Sequence, residues 1–119
     1  MMNANRRRGE IAATLDGEEQ KLRLTLGALA ELEATYEVED LAALVERFSG
    51  GKLAARDIIR IIGAGLRGAG REVTDEEVGN MDVIDGIAGM AKIAVSLLEA
   101  AFGGREETNG GEGVAKANP

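Results

Sequence analysis

Cysteine and histidine are both absent from this chain of 119 residues. Without cysteine there is no disulfide framework, no thiolate nucleophile and no iron–sulfur or cysteine-type zinc site. Without histidine the chain lacks the commonest general base and the commonest metal ligand of proteins. Most arrangements of catalytic residues are therefore excluded, and the sequence favours a protein that is not an enzyme and uses no metal or cofactor.

Aromatic residues are scarce, at 3% of the chain, and are limited to Tyr36, Phe48 and Phe102. The core must therefore be built from leucine, isoleucine, valine and alanine, which is typical of packed helices. A chain of this length corresponds to one domain with a modest core.

Long apolar runs are also missing, since no stretch of about 18 uninterrupted apolar residues occurs. The start, MMNANRRRGE, has basic residues but no apolar segment behind them, so no signal peptide is predicted. The formal net charge of −7 disfavours a nucleic-acid partner, because binding phosphates requires a basic surface. We expect a cytoplasmic protein that does not span a membrane.

Near the start of the chain, two segments alternate apolar and polar residues, as half-buried strands do. Asp16-Gly17 between them has the chemistry of a tight turn. The pattern predicts a β-hairpin, whose apolar face must dock on helices because two strands alone are marginal in water. The apolar positions are Ile11, Ala13 and Leu15 in the first segment and Leu22, Leu24 and Leu26 in the second.

The rest of the chain predicts four or five short helices. Thr25 caps a helix over residues 27–36, and Asp40 caps one over residues 41–48 that Ser49-Gly50-Gly51 ends. A third covers residues 54–69, a capping box at residues 74–77 begins a short helix toward Met81, and a last helix covers residues 84–102. The residues expected to face the core include Leu41, Leu44, Val45 and Phe48 in the second helix and Ile84, Ile87, Ala88, Ala91, Val95, Leu98 and Phe102 in the last.

The predicted fold class is therefore α+β, with an N-terminal β-hairpin packed against a bundle of four to five short helices. Residues 1–8 are predicted to be a flexible leader and residues 9–102 a single domain. Residues 103–119 are polar and rich in glycine, and we predict that they form a disordered C-terminal tail.

Gly63, Gly65 and Gly68 spell G-x-G-x-x-G, the fingerprint of dinucleotide-binding folds. That interpretation needs a strand before the glycines and a turn at them, and Asp85 would supply the acidic residue further on. At 100° per residue, however, the helix would place six residues within an arc of roughly 140°: Ile58, Ile61, Ile62, Gly65, Leu66 and Ala69. A helix through the glycines is therefore favoured over a phosphate loop, the glycines serving close helix packing and helix termination or, alternatively, a hinge.

Four arginines, Arg56, Arg60, Arg67 and Arg71, lie opposite that apolar face within an arc of roughly 60°. We predict a partner-binding face at these residues, beside two alternatives. One is a solvated face that pairs with Glu72 or with the carboxylates of residues 75–77, and the other, less favoured, is a nucleic-acid contact. The carboxylate groups at Glu18-Glu19, at Glu37, Glu39 and Asp40, and at residues 75–77 have neither EF-hand spacing nor a catalytic pattern.

Three blocks of the chain resemble the tail-assembly chaperone family of alphaproteobacterial gene transfer agents and phages. They are LRLTLGALAELE at residues 22–33, ARDIIRII at 55–62 leading to GLRGAG at 65–70, and VTDEEV at 73–78. The resemblance spans roughly residues 5–103. Ala54 stands where the pattern leads us to expect a serine cap, and residues 103–119 look peculiar to this chain.

The resemblance implies a non-enzymatic role in building a tail, in which the protein binds the tape-measure protein and helps tail-tube subunits assemble. The partners implied are the tape-measure protein, the major tail tube protein and a second copy of the chain, with no small-molecule substrate. The alternative is a structural, tube-associated tail component. A small helical regulatory or DNA-binding module is a third hypothesis. The expected location is the host cytoplasm during assembly, or the tail of the particle.

Overall fold

The computed structural model describes residues 9–49 and 52–102. An antiparallel hairpin is followed by five helices. The strands are β1 (Glu10–Leu15) and β2 (Glu18–Arg23), and the helices are α1 (Leu26–Tyr36), α2 (Leu41–Phe48), α3 (Ala55–Gly68), α4 (Asp75–Gly79) and α5 (Gly86–Phe102). The predicted α+β fold is thus confirmed, while the predicted leader at 1–8, the tail at 103–119 and the glycines at 50–51 lie outside the described residues.

The hairpin forms in the register that its alternation predicts. Ile11 pairs with Leu22 across the strands, and both side chains are buried together with Leu15. Asp16 and Gly17 have φ of 55° and 77°, which fits the tight turn that matches strand twist. The Asp16 amide donates to the Asp82 carbonyl at 2.8 Å, and the Asp82 amide donates to Asp16 Oδ1 at 2.8 Å. These two bonds fasten the hairpin turn to the loop between α4 and α5.

Leu26 departs from the predicted strand pattern and is 76% exposed. Strand β2 ends at Arg23, and Thr25 Oγ1 accepts a hydrogen bond from the Ala28 amide at 3.0 Å. This cap turns the chain into α1, so that Leu26 occupies the first helical position instead of the next inward strand position. The expectation that Leu26 shares the buried strand face was therefore wrong.

Helix α3 is the central element, in contact with β2, α1, α4 and α5. Its buried stripe comprises Ile58, Ile61, Ile62 and Leu66, as the periodicity predicted. The helix continues through Gly63 and Gly65 and ends at Gly68, so the chain does not make the turn that a phosphate loop requires.

Each glycine of this motif lies where a neighbouring group comes close. A Cβ on Gly63 would overlap the Asp75 carboxylate, and one on Gly65 would overlap the Leu97 side chain of α5. A Cβ on Gly68 would collide with the Arg23 carbonyl oxygen of β2. The motif therefore serves close packing, which is the role that the sequence analysis favoured for Gly65.

Several residues of α2 and α5 that were expected to face the core are exposed instead. Leu44 and Phe48 are buried, but Leu41 and Val45 are exposed. Ile84 precedes α5 and is 88% exposed, and Ile87 in its first turn is 81% exposed. Ala88 and Val95 are exposed too, whereas the buried residues of α5 are Gly89, Ala94, Leu97, Leu98 and Ala100. Because α5 is apolar around most of its circumference, periodicity could not identify the stripe that meets α3.

Replacing Gly68 by alanine tests the close approach of α3 to β2. The new methyl group would meet a backbone oxygen that cannot rotate away, so Gly68→Ala should lower the free energy of unfolding by about 1–2 kcal/mol. Gly27→Ala is the matched control, because its Cβ would lie 3.8 Å from Thr25 Oγ1, at ordinary contact distance. The control should gain up to about 1 kcal/mol from helix propensity. Chemical denaturation followed by circular dichroism measures both, and equal stabilisation of the two variants would contradict the packing argument.

Candidate functional site

The four predicted partner-binding arginines do not form one continuous stripe. Arg56 and Arg60 lie in the first half of α3, Arg67 lies in its last turn, and Arg71 lies beyond the end of the helix at Gly68. The chain turns at Gly70, where φ is 102°, and the Arg71 amide donates to the Leu66 carbonyl at 3.0 Å. The structure thus separates Arg56 and Arg60 from Arg71, because the helix on which their common face was predicted ends before Arg71.

Arg67 is held by contacts within the protein. Its Nη1 donates to Asp75 Oδ1 at 3.1 Å and to the Val73 carbonyl at 3.0 Å, and its Nη2 lies 3.2 Å from Glu31 Oε2. One guanidinium group therefore ties α3 to α1 and to the start of α4. Arg67 thus makes one of the pairs expected under the alternative of a solvated face, whereas Arg56, Arg60 and Arg71 make no ion pair among the described residues.

Two carboxylate residues are buried among the described residues, and Asp57, at 2% exposure, is buried more deeply than Glu10, at 7%. Asp57 Oδ1 accepts a hydrogen bond from the Tyr36 hydroxyl at 2.5 Å, and its Oδ2 accepts from the Ala54 amide at 2.8 Å. The second bond is the one that the third helical residue of a capping box makes to the amide of the cap residue, and it satisfies a free amide at the start of α3. Asp57 therefore joins α1 to α3 and stabilises the first turn of α3.

The ionisation of Asp57 and Tyr36 reflects this shared hydrogen bond. Burial is the largest influence on Asp57 and raises its pKa. The hydrogen bonds from Tyr36 and Ala54, with the positive charges of Arg47 and Arg56, outweigh it and hold the pKa below its ordinary value. Burial, followed by the hydrogen bond to Asp57, raises the pKa of Tyr36. At neutral pH the pair is therefore a carboxylate that accepts from a neutral phenol.

Two arginine side chains lie over the Tyr36 ring. The guanidinium carbon of Arg47 is 4.9 Å from the ring centroid, and that of Arg60 is 5.5 Å from it. Arg47 Nη2 also lies 3.9 Å from Asp57 Oδ1, and Phe48 packs edge-on against Tyr36 with 5.2 Å between centroids. We refer to Tyr36, Arg47, Arg56, Asp57 and Arg60 as the arginine–tyrosine cluster.

Sequence reasoning found Arg56 and Arg60 but missed Arg47, Tyr36 and Asp57 as parts of one site. Arg47 is on α2 and Tyr36 ends α1, so no spacing along the sequence relates them to α3. The available signal was Asp57 itself, an acid three residues after the cap position of α3, where the third helical residue of a capping box accepts from the amide of the cap residue.

The domain also has two apolar grooves. One, of about 320 Å³, lies among α3, α4 and the start of α5 and is lined by Ile58, Ile59, Met81, Ile87 and Met90 among others. The other, of about 390 Å³, lies between α2 and α5.

Within residues 9–49 and 52–102, no group of three or more acidic residues is placed to hold a metal ion. In the same ranges, no helix has the length and apolarity needed to cross a bilayer.

Comparison with known families decides what this domain is related to. The family model described as "Phage tail tube protein, GTA-gp10" matches residues 8–104, which include both strands and all five helices. The chain belongs to this family. No curated protein and no solved structure matches it.

Membership of the tail tube protein family GTA-gp10 confirms the coarser part of the predicted resemblance, a tail protein of phages or gene transfer agents. It supports a tail-related structural role and partners among tail proteins. A chaperone activity, an alphaproteobacterial origin and a tape-measure partner stay predictions.

Asp57→Asn tests the role of the buried carboxylate in this GTA-gp10 domain. The amide cannot accept both existing hydrogen bonds, so the free energy of unfolding at neutral pH should fall by about 1–3 kcal/mol. The ordinary pKa of Asp57 is 3.8 and its folded pKa is lower. As the pH falls through 3.8 toward the lower folded pKa, Asp57 binds a proton in the unfolded chain before it does in the folded chain, and wild-type stability decreases.

The difference between wild type and Asp57→Asn should therefore shrink as the pH is lowered from about 6 to about 3. Urea denaturation across this range measures it. The exposed Asp85→Asn is the control and should stay within about 0.5 kcal/mol of wild type at neutral pH. A difference independent of pH would contradict the ionised state assigned to Asp57.

Arg67→Met tests whether Arg67 is structural. The substitution removes two ion pairs and a hydrogen bond to a carbonyl. Because solvent screens ion pairs of partly exposed residues and both pairs use one guanidinium group, the free energy of unfolding should fall by only about 1 kcal/mol. Arg71→Met removes an exposed arginine that makes no ion pair among the described residues and should change stability by less than about 0.5 kcal/mol. Thermal and urea denaturation measure both variants, and equal effects would show that Arg67 has no special structural role.

Proposed function

We propose that this chain is a structural component of a phage or gene-transfer-agent tail and associates with the tail tube. One observation carries the proposal: the GTA-gp10 match at residues 8–104 extends over every described strand and helix. The matched part is therefore a complete folded unit and not a short motif within another kind of domain.

The surface supports a role in protein contacts. Leu26, Ile84 and Ile87 are large apolar residues left mostly exposed, and Ile87 also lines the groove among α3, α4 and α5. Ile84 and Ile87 lie three residues apart around the start of α5, and patches of exposed apolar residues are common at protein–protein interfaces. With no histidine or cysteine in the chain, we propose a binding role without enzymatic activity.

The tail-assembly chaperone hypothesis makes a different prediction about the finished particle. A chaperone that binds the tape-measure protein acts during assembly and leaves, whereas a structural component stays. The two roles therefore differ in where the chain is found after assembly is complete.

Quantitative mass spectrometry of purified particles tests the proposal. The particles come from the strain that encodes the chain, and isotope-labelled peptides serve as standards. We expect a fixed, stoichiometric ratio of the chain to the other tail proteins, maintained through successive density gradients. Particles that lack the chain, while it co-purifies with the tape-measure protein from the lysate, would overturn the structural role and favour the chaperone.

A further inference from the structure

The arginine–tyrosine cluster carries an excess of positive charge. The positive charges of Arg47 and Arg56 act on the carboxylate of Asp57, and the guanidinium group of Arg60 lies over the ring of Tyr36, whose hydroxyl binds that carboxylate. Arg56 and Arg60 make no ion pair within the described residues, and Arg47 makes its ion pair only at 3.9 Å. Because the whole chain has a net charge of −7, this cluster is a local exception that fits an acidic partner.

Contacts within the domain hold two arginines of the cluster, Arg47 and Arg60, in place. Arg47 and Arg60 lie over the Tyr36 ring, and the Tyr36 hydroxyl is fixed by its bond to Asp57. Ordered arginines lose less side-chain entropy on binding, and a guanidinium group can bind a carboxylate through two parallel hydrogen bonds. Arginine and tyrosine are also the residue types enriched among those that dominate binding energy at interfaces.

The same domain has a surface of opposite charge. The hydrogen bonds between Asp16 and Asp82 bring the hairpin turn to the loop before α5. We call four exposed acidic residues of these two joined segments, Asp16, Glu18, Asp82 and Asp85, the acidic corner. Within the described residues, none of them forms an ion pair. Asp75 at the start of α4 differs, because Arg67 pairs with it.

We propose that the arginine–tyrosine cluster of one copy docks on the acidic corner of a second copy of this chain. The proposal rests on the structural tail role and names its partner. The two surfaces are different, so the contact is heterologous, and repeated contacts of this kind produce closed rings or helical stacks. Such assemblies are what a component associated with a tube requires.

A pair of charge-reversal variants tests the contact in the full-length chain. Arg56→Glu/Arg60→Glu reverses the basic surface, and Glu18→Lys/Asp82→Lys reverses the acidic one. Each should weaken self-association at least about tenfold, measured as the apparent Kd by sedimentation velocity. Mixing the two variants in equal amounts should restore association, because each then meets a surface of opposite charge. Raising the salt from about 0.05 M to about 0.5 M should weaken wild-type association.

Matched controls carry the same change of charge at exposed positions outside both surfaces. They are Arg71→Glu/Lys92→Glu for the basic surface and Glu76→Lys/Glu99→Lys for the acidic one, and both should associate like wild type. Circular dichroism checks that every variant folds. If Arg56→Glu/Arg60→Glu does not fold, the neutral Arg56→Gln/Arg60→Gln takes its place and should also weaken association.

Three results would overturn the contact. The wild-type chain could stay monomeric at about 100 µM, the two variants could fail to associate when mixed, or the controls could associate as weakly as the test variants. The contact would also be overturned by retardation of a short duplex DNA by wild type that is lost on Arg56→Glu/Arg60→Glu, while self-association is unaffected. The proposed contact and the proposed tail role can fail independently. A chain that is stoichiometric in particles but does not self-associate would contradict only the contact, and a chain that self-associates but is missing from particles would contradict only the tail role.

Discussion

The close packing around α3 is the constraint on which the rest of the structure depends. Helix α3 meets β2, α1, α4 and α5, and three of its positions have no room for a side chain. Gly63 lies beneath the ion pair between Asp75 and Arg67, Gly65 beneath Leu97, and Gly68 against the Arg23 carbonyl. Because interiors are packed as densely as crystals, a larger residue at these points would move a whole neighbouring element.

Around this apolar packing, polar contacts of α3 fix its two ends. At the first turn, Asp57 satisfies the Ala54 amide and the Tyr36 hydroxyl. At the last turn, Arg67 binds Glu31, Asp75 and the Val73 carbonyl. Both sets of contacts bring α1 against α3, so the arginine–tyrosine cluster is built on the same contacts that hold the helix bundle together.

Several elements could be predicted because their causes are local. Asp16-Gly17 produces the turn, Thr25 and Asp40 accept from amides three residues on, and the box at Thr74 and Glu77 closes in both directions. Where local rules competed, the outcome could not be read from periodicity alone. Leu26 fitted both the strand and the helix that replaced it, and the cap at Thr25 decided between them.

The sequence by itself determined the α+β class, the central helix through the glycines and the scarcity of residues that support catalysis, since these follow from composition, period and capping within a few residues. It also identified Arg56 and Arg60, but not Arg47, which joins Arg60 over the ring of Tyr36. Tertiary structure alone decided that Arg67 is held by internal ion pairs, that Arg47 joins Arg60 over Tyr36, and that Ile84 and Ile87 face outward. The reason is physical: contacts between residues far apart in the chain depend on how helices pack, and an almost uniformly apolar helix such as α5 does not specify which of its faces will be buried.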